Sequence, residues 1–243
     1  MKRAAVTGSS GFLGSHLAAR FEARPGWIAV RIGRREFETG RLREALRGCG
    51  VVFHFAGVSR SADAAAMYET NMRLIRDVLA AVEANGEPLR LFFISTTHEA
   101  KESAYHASKR DGRRAVELAA RASGRFEGIG VLLPNVFGPG GKPFYNSVTS
   151  TFCCQIARGE SPTVHPGAGR TRLIYIDTLM DRLIELAETE EPPPSPVTVA
   201  DEFDAEIAEI AARLQRLKAG EPPRDRFDRC LTETLNSYCN EVR

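Results

Sequence analysis

Tyr105 and Lys109 stand four residues apart in the run Tyr105-His106-Ala107-Ser108-Lys109, and the apolar pattern continues through Val116, Leu118 and Ala119. In a helix, side chains at i and i+4 share a face, so the phenol and the ammonium project together. That pairing suits acid–base chemistry. A phenol with an ordinary pKa of about 10 exchanges protons poorly at neutral pH, and a neighbouring ammonium favours the phenolate. Thr96, at the end of the apolar run 89–95, offers a hydroxyl to the same substrate oxygen. The same Tyr and Lys spacing also arises on solvated helices with no chemistry attached. A second stretch, Val6-Thr7-Gly8-Ser9-Ser10-Gly11-Phe12-Leu13-Gly14, follows the apolar Ala4-Ala5-Val6 and opens a segment with Leu13, Leu17 and Phe21 every four residues. It reads as strand, glycine turn and helix. There Gly8 supplies a tight turn, Gly11 a close approach to phosphate and Gly14 close packing of helix on strand, while the helix N-terminus attracts the pyrophosphate of a dinucleotide. An ordinary glycine-rich βα turn is the competing reading.

The elements that must position these residues alternate between strand and helix. Residues 27–32 form a second strand, followed by Gly33-Arg34-Arg35. A carboxylate there would bind a ribose 2′-hydroxyl, whereas arginines suit a 2′-phosphate, so Arg34 and Arg35 favour NADPH (NADP+) over NADH. Glu36 opposes that preference, and a solvated basic loop is the alternative. A short helix at 42–46 precedes the apolar strand 51–55, which ends in the small residues Ala56-Gly57. Helix 64–85, strand 89–95, the Tyr105 helix and strand 129–133 follow, then Pro134-Asn135-Val136-Phe137-Gly138-Pro139-Gly140-Gly141, whose prolines and glycines predict an irregular path. Beyond it come a helix at 148–158, a strand at 173–176 and a helix at 178–188. A stiff Pro-rich spacer, a short strand at 197–199, and helices at 202–218 and 226–242 complete the chain.

At 243 residues with 43% apolar composition, the chain fits one large α/β domain carrying a small appendage. Its 33 basic and 31 acidic residues are interspersed, so no nucleic acid and no membrane partner is expected. No apolar run approaches the roughly 20 residues of a membrane span, and the chain opens on a core strand, which predicts a cytoplasmic protein. Five cysteines without a Cys-x-x-Cys pair read as core thiols, and no histidine has metal-ligand spacing.

Taken together, Thr7-Gly8-x-x-Gly11-Phe12-x-Gly14, His54-x-Ala56-Gly57, Asn71, Ser95-Thr96, Tyr105-x-x-x-Lys109 and Pro134-Asn135-Val136-Phe137-Gly138-Pro139 resemble the extended short-chain dehydrogenase/reductases. These are NAD(P)-dependent nucleotide-sugar epimerases, dehydratases and ketoreductases. The stretch Lys142-Pro143-Phe144-Tyr145-Asn146-Ser147-Val148 through residue 158 is similar to one subgroup, the reductase domain of bacterial capsular-polysaccharide enzymes acting on 4-keto UDP-sugars.

The resemblance implies a Rossmann-type doubly wound parallel sheet over residues 1–140 and a small, mostly helical substrate-binding region over 141–243, together one catalytic unit. It implies Tyr105 as proton donor, Lys109 as its partner and a holder of the nicotinamide ribose, and Thr96 on the reacting oxygen. Gly8, Ser10, Gly11, Phe12, Leu13, Gly14, Arg34, Arg35, His54, Ala56, Gly57, Tyr105, Lys109 and Pro134 would then line the cofactor. Thr97, Asn135, Tyr145, Asn146 and Arg172 would meet the substrate, with no metal.

Departures from the family narrow the expectation. Dehydratases carry Asp-Glu where this chain has Thr97-His98, which disfavours dehydration, and the segment 37–50 is shortened where others contact adenine. A diphosphate-gripping arginine aligns on Thr171, with Arg170 or Arg172 as replacements. The capsular enzymes continue into a cupin domain past the point where this sequence stops, so epimerisation would fall to a separate protein. The expected activity is NADPH-dependent reduction of a 4-keto nucleotide sugar by a homodimer. An NAD-dependent epimerase and a non-catalytic NADP(H) sensor are the alternatives.

Overall fold

A computed structural model describes residues 1–241. In chain order the elements are β1 (Lys2–Thr7), α1 (Phe12–Glu22), β2 (Trp27–Ile32), α2 (Arg34–Glu38), α3 (Leu42–Ala45), β3 (Val51–His54), α4 (Ala64–Glu83), β4 (Arg90–Thr96) and α5 (Ala104–Ser123). They continue as β5 (Glu127–Leu133), β6 (Asn135–Phe137), α6 (Val148–Ala157), β7 (Arg170–Tyr175), α7 (Ile176–Glu188), β8 (Val197–Thr198), β9 (Phe203–Glu206), α8 (Ile207–Lys218) and α9 (Arg226–Glu241). Val242, the last residue of the predicted final helix, lies outside the described residues. Two compact units emerge, the first from Met1–Leu133 and Met180–Val199, the second from Pro134–Leu179 and Ala200 onward. The sequence suggests one boundary near residue 140, and the chain crosses between these two units after residues 133, 179 and 199.

The first unit is built on a six-stranded sheet ordered β2-β1-β3-β4-β5-β8, and all its pairings are parallel. Val51, Val52 and Phe53 of β3 and the 91–94 run of β4 are buried because helices cover both faces of a parallel sheet. Phe53 stacks on Phe92 with ring centroids 4.7 Å apart. On one face Ile75, Val78 and Val82 of α4 and Val116 of α5 pack against Val52, Leu91 and Phe93. Caps set where these helices begin: Asp63 accepts the Ala66 N–H ahead of α4, and Ser103 accepts the His106 N–H ahead of α5. From β1 the chain steps outward to β2 and then returns to the other side of β1 for β3. The carboxyl ends of β1 and β3 therefore flank a topological switch point, the place where open α/β sheets take their ligands.

The second unit holds a three-stranded sheet, β6-β7-β9, in which β6 and β7 are parallel and β7 and β9 antiparallel. Two sequence expectations are corrected here. Residues 135–137 are a strand and not an irregular path, because β7 lends them its edge. Residues 203–206 are a strand and not the first turn of a helix. Phe203 and Ala205 turn inward while Asp204 faces Arg170, a period of two, and the helical stripe of Ile210, Ala211 and Leu214 begins only with α8. Phe137, Phe203 and Phe227 form an aromatic cluster, with Phe203 and Phe227 stacked at 4.5 Å. The buried Asp228 carboxylate joins α8 to α9, accepting from Arg213 at 2.9 Å, from Arg216 and from the Arg224 N–H. Cys49, Cys153, Cys154 and Cys230 are buried free thiols, whereas Cys239 is half-buried.

Candidate active site

At the end of β1, Gly8 adopts φ +68° under the backbone of Ala56: a Cβ there would stand 2.9 Å from the Ala56 nitrogen. Gly14 is buried against the same turn, and a Cβ on it would lie 2.3 Å from the Gly8 carbonyl oxygen. No side chain larger than hydrogen fits either position without shifting backbone. Gly14→Ala is therefore expected to cost about 1–3 kcal/mol of stability by overpacking and to weaken nicotinamide cofactor binding at least tenfold, measured by thermal unfolding and cofactor titration. α1 starts at Gly11 with no side-chain cap and no carboxylate in its first turn. Its first-turn N–H groups and positive dipole end therefore suit an anion, and the cradle of Gly8, Ser10, Gly11, Phe12 and Leu13 fits a dinucleotide pyrophosphate.

Thr7 ties this turn to the neighbouring strand. Its Oγ1 accepts the Ala56 N–H at 3.2 Å and lies 2.9 Å from His54 Nδ1. Burial, aided by the Lys109 charge, pushes His54 down to about 3, so the imidazole is neutral. Asn71, buried in the apolar face of α4, clamps the next loop: its Oδ1 accepts the Val58 N–H at 2.7 Å and its Nδ2 donates to the Val58 carbonyl. The same Nδ2 donates at 2.9 Å to Ser108 Oγ, which donates in turn to the Tyr105 carbonyl. The loop of Ala56 and Gly57 is thereby locked to the helix that carries Tyr105 and Lys109.

Lys109 is 9% exposed. Its Nζ donates to the Ile94 carbonyl at 3.0 Å and lies 5.3 Å from the Phe93 ring centroid and 5.9 Å from that of Tyr105. Burial pushes its ammonium down to about 8. Thr96 closes β4 two residues after Ile94, and its Oγ1 accepts the His98 N–H at 3.2 Å, which leaves its hydroxyl proton to donate. Thr97 is exposed, its N–H bound to the Leu133 carbonyl. The turn after Thr96 is anchored by a chain of groups that the sequence reading did not single out. Ser95 donates to Glu99 at 2.6 Å, Arg113 bridges Glu99 and Glu117, and Glu117 accepts from Ser195. Burial acts against the Glu99 charge, but the Arg113 and Ser95 bonds prevail and hold its carboxyl below the usual range. An Asn on the buried stripe of α4 was the visible signal for the Asn71 clamp; Glu99 and Arg113 gave none.

Arg34 and Arg35 begin α2, where a loop was an open alternative, and both are exposed. Arg34 meets Glu38 only at 4.0 Å, while Glu36 folds back so that its carboxylate accepts the Gly33 N–H at 2.8 Å. In the second unit, which Pro134 opens, Asn135 Nδ2 donates to Thr171 Oγ1 at 2.9 Å. Side chains alternate along a strand, so Arg170 and Arg172 lie on the other face of β7 from Thr171. The structure thus brings Asn135 to Thr171, while Arg170 is engaged by Asp204 and Glu206. Tyr145 lies under Lys142, with Nζ 4.8 Å from the ring centroid, and Asn146 is exposed beside it.

The chain belongs to the NAD dependent epimerase/dehydratase family, whose profile matches residues 4–200. It is 30% identical over 216 residues to a UDP-2-acetamido-2,6-beta-L-arabino-hexul-4-ose reductase of Pseudomonas aeruginosa, covering 88% of this chain but 57% of that protein's length. Among solved structures, the capsular polysaccharide assembling protein CapF of Staphylococcus aureus superposes with TM-score 0.83 at 26% identity, over all of this chain and 67% of CapF. A UDP-glucuronic acid 4-epimerase of Bacillus cereus, in complex with UDP-glucuronic acid and NAD, shares the fold with TM-score 0.86 at 15% identity, over 99% of this chain and all of that one.

Proposed function

We propose that the chain reduces the 4-keto group of a nucleotide-linked 6-deoxy sugar, with UDP as the carrier, NADPH as hydride source and Tyr105 as proton donor. The observation that carries the reading is the placement of Lys109, buried yet aimed at the Tyr105 ring and anchored on the strand that ends in Thr96. Similarity to the Pseudomonas reductase supports the substrate class.

Gly8 to Gly14, Ala56, Gly57, Tyr105 and Lys109 would hold the cofactor, which when bound supplies hydride to the carbonyl carbon. Tyr105 gives its phenolic proton to the carbonyl oxygen as charge develops there, so carbon gains hydride, oxygen gains a proton and an alcohol results. Thr96 donates its hydroxyl proton as a hydrogen bond to the same oxygen. Lys109 stabilises the phenolate left behind, and its bond to the Ile94 carbonyl fixes where that charge sits. Glu99, already holding Ser95 and Arg113, is a spent carboxylate, which favours reduction over elimination of water.

This reading extends to a cytoplasmic homodimer paired through α5, whose Leu118 is 63% exposed. It takes Arg34 and Arg35 as the grip on a 2′-phosphate. The test follows nicotinamide absorbance with a UDP-4-keto-6-deoxy sugar. NADPH is expected to be oxidised faster than NADH, and the double change Arg34→Ser, Arg35→Ser is expected to raise the NADPH KM at least tenfold while leaving that for NADH unchanged. Equal KM changes for both cofactors would remove the phosphate grip; no oxidation of either would remove the reductase.

A further inference from the structure

Phe144 in the second unit adopts φ 55°, a left-handed conformation that favours glycine and tolerates asparagine but is uncommon for an aromatic residue. Burial does not explain why it is held there, since the ring is 51% exposed. The loop is pinned ahead of the strained residue and at it: the Tyr238 hydroxyl donates to the Gly141 carbonyl, and the Phe144 N–H donates to Thr151 Oγ1 at 2.9 Å. Backbone strain that surrounding contacts enforce, on a side chain that gains little from packing, is characteristic of residues held for a ligand.

The surroundings indicate which ligand. The Arg158 guanidinium carbon stands 5.9 Å from the Phe144 ring centroid, and one residue on Lys142 stands over Tyr145 at 4.8 Å. Two consecutive aromatic residues on the loop ahead of α6 thus each have a cation at the ring face, one of them supplied by Arg158 at that helix's far end. An exposed ring offers an aromatic base a stacking surface, and the adjacent cations offer a polyphosphate its countercharge. A bare sugar would use neither feature fully, and an apolar partner would not call for the cations.

We propose that Phe144 is a specificity-determining residue that contacts the substrate, stacking on the base of a nucleoside diphosphate while Arg158 and Lys142 meet its phosphates. The assignment rests on the nucleotide-sugar reading above and names the side chains through which the second unit recognises the nucleotide.

The experiment titrates the full chain with UDP and with inorganic pyrophosphate by calorimetry, alongside its thermal midpoint and NADPH binding. Phe144→Gly relieves the backbone and removes the ring. It is expected to keep or raise Tm, leave NADPH and pyrophosphate binding unchanged and weaken UDP at least tenfold. Phe144→Leu, which keeps the bulk and the strained backbone but not the aromatic face, carries the same expectation for UDP about fivefold and serves if the glycine variant folds poorly. Arg158→Gln is expected to weaken UDP and pyrophosphate together. UDP bound equally well by both Phe144 variants would overturn this assignment and leave the reductase standing. A native chain that binds NADPH but no nucleoside diphosphate would overturn both.

Discussion

Tyr105→Phe is expected to bind NADPH as the native chain does and to lose about 10²–10⁴ in kcat, the usual worth of a positioned general acid. Only the hydroxyl is removed. The ring remains beside Lys109 and His106, with centroids of Tyr105 and His106 5.3 Å apart, and the helix keeps its Ser103 cap and its Asn71–Ser108 link. A fall in kcat with unchanged cofactor affinity and unchanged Tm therefore isolates proton transfer. Stopped-flow absorbance with a UDP-4-keto-6-deoxy sugar measures the chemical step, and cofactor fluorescence measures binding. A variant retaining more than about a tenth of native kcat would remove Tyr105 as the proton donor.

The parts of this site that were legible in the sequence are those whose constraint is local. Gly8, Gly11 and Gly14 crowd one turn, and Tyr105 and Lys109 share one helix face, so their spacing marks them as candidates. Strands β3 and β4 were equally plain, because a parallel strand covered on both faces is a continuous apolar run. What escaped depends on partners far along the chain. β6 is three residues long and exists because β7 pairs with it from 38 positions downstream, Asn135 opposite Leu173. β9 sits where Phe203, Ala205, Ile207 and Ile210 admit either a strand or a helix by period, and its pairing with β7 decides the matter. That Thr171 faces Asn135 follows from strand alternation, which a motif alignment does not carry. The Glu99–Arg113–Glu117–Ser195 chain spans almost 100 residues through side chains that, read singly, look like solvated surface.

Lys109→Met is expected to abolish most activity while stabilising the cofactor-free protein. The ammonium's ordinary value of 10.5 is pushed down to about 8 by burial, so below pH 8 the native state carries a desolvated charge that the unfolded chain keeps in water. That difference costs the fold up to about 3 kcal/mol. Between pH 8 and 10.5 the unfolded chain retains a proton the native state has released, so the penalty fades and stability rises with pH. Above 10.5 both states are neutral and no penalty remains. Methionine has a similar length, suits the Phe93 ring 5.3 Å from Nζ, and forfeits only the bond to the Ile94 carbonyl, roughly 1 kcal/mol. The balance favours the variant by about 1–2 kcal/mol at pH 7, a gain in Tm of several degrees that shrinks toward zero or reverses by pH 10.5. Its kcat is expected to fall at least 10²-fold, because the phenolate of Tyr105 loses its counter-charge. Thermal unfolding of the cofactor-free chain between pH 6.5 and 10.5 reads the first effect, and turnover reads the second. A Tm difference that stays constant across that range would mean that Lys109 is not a buried charge at neutral pH. Together the two effects would mark Lys109 as a residue kept for chemistry at the expense of the fold.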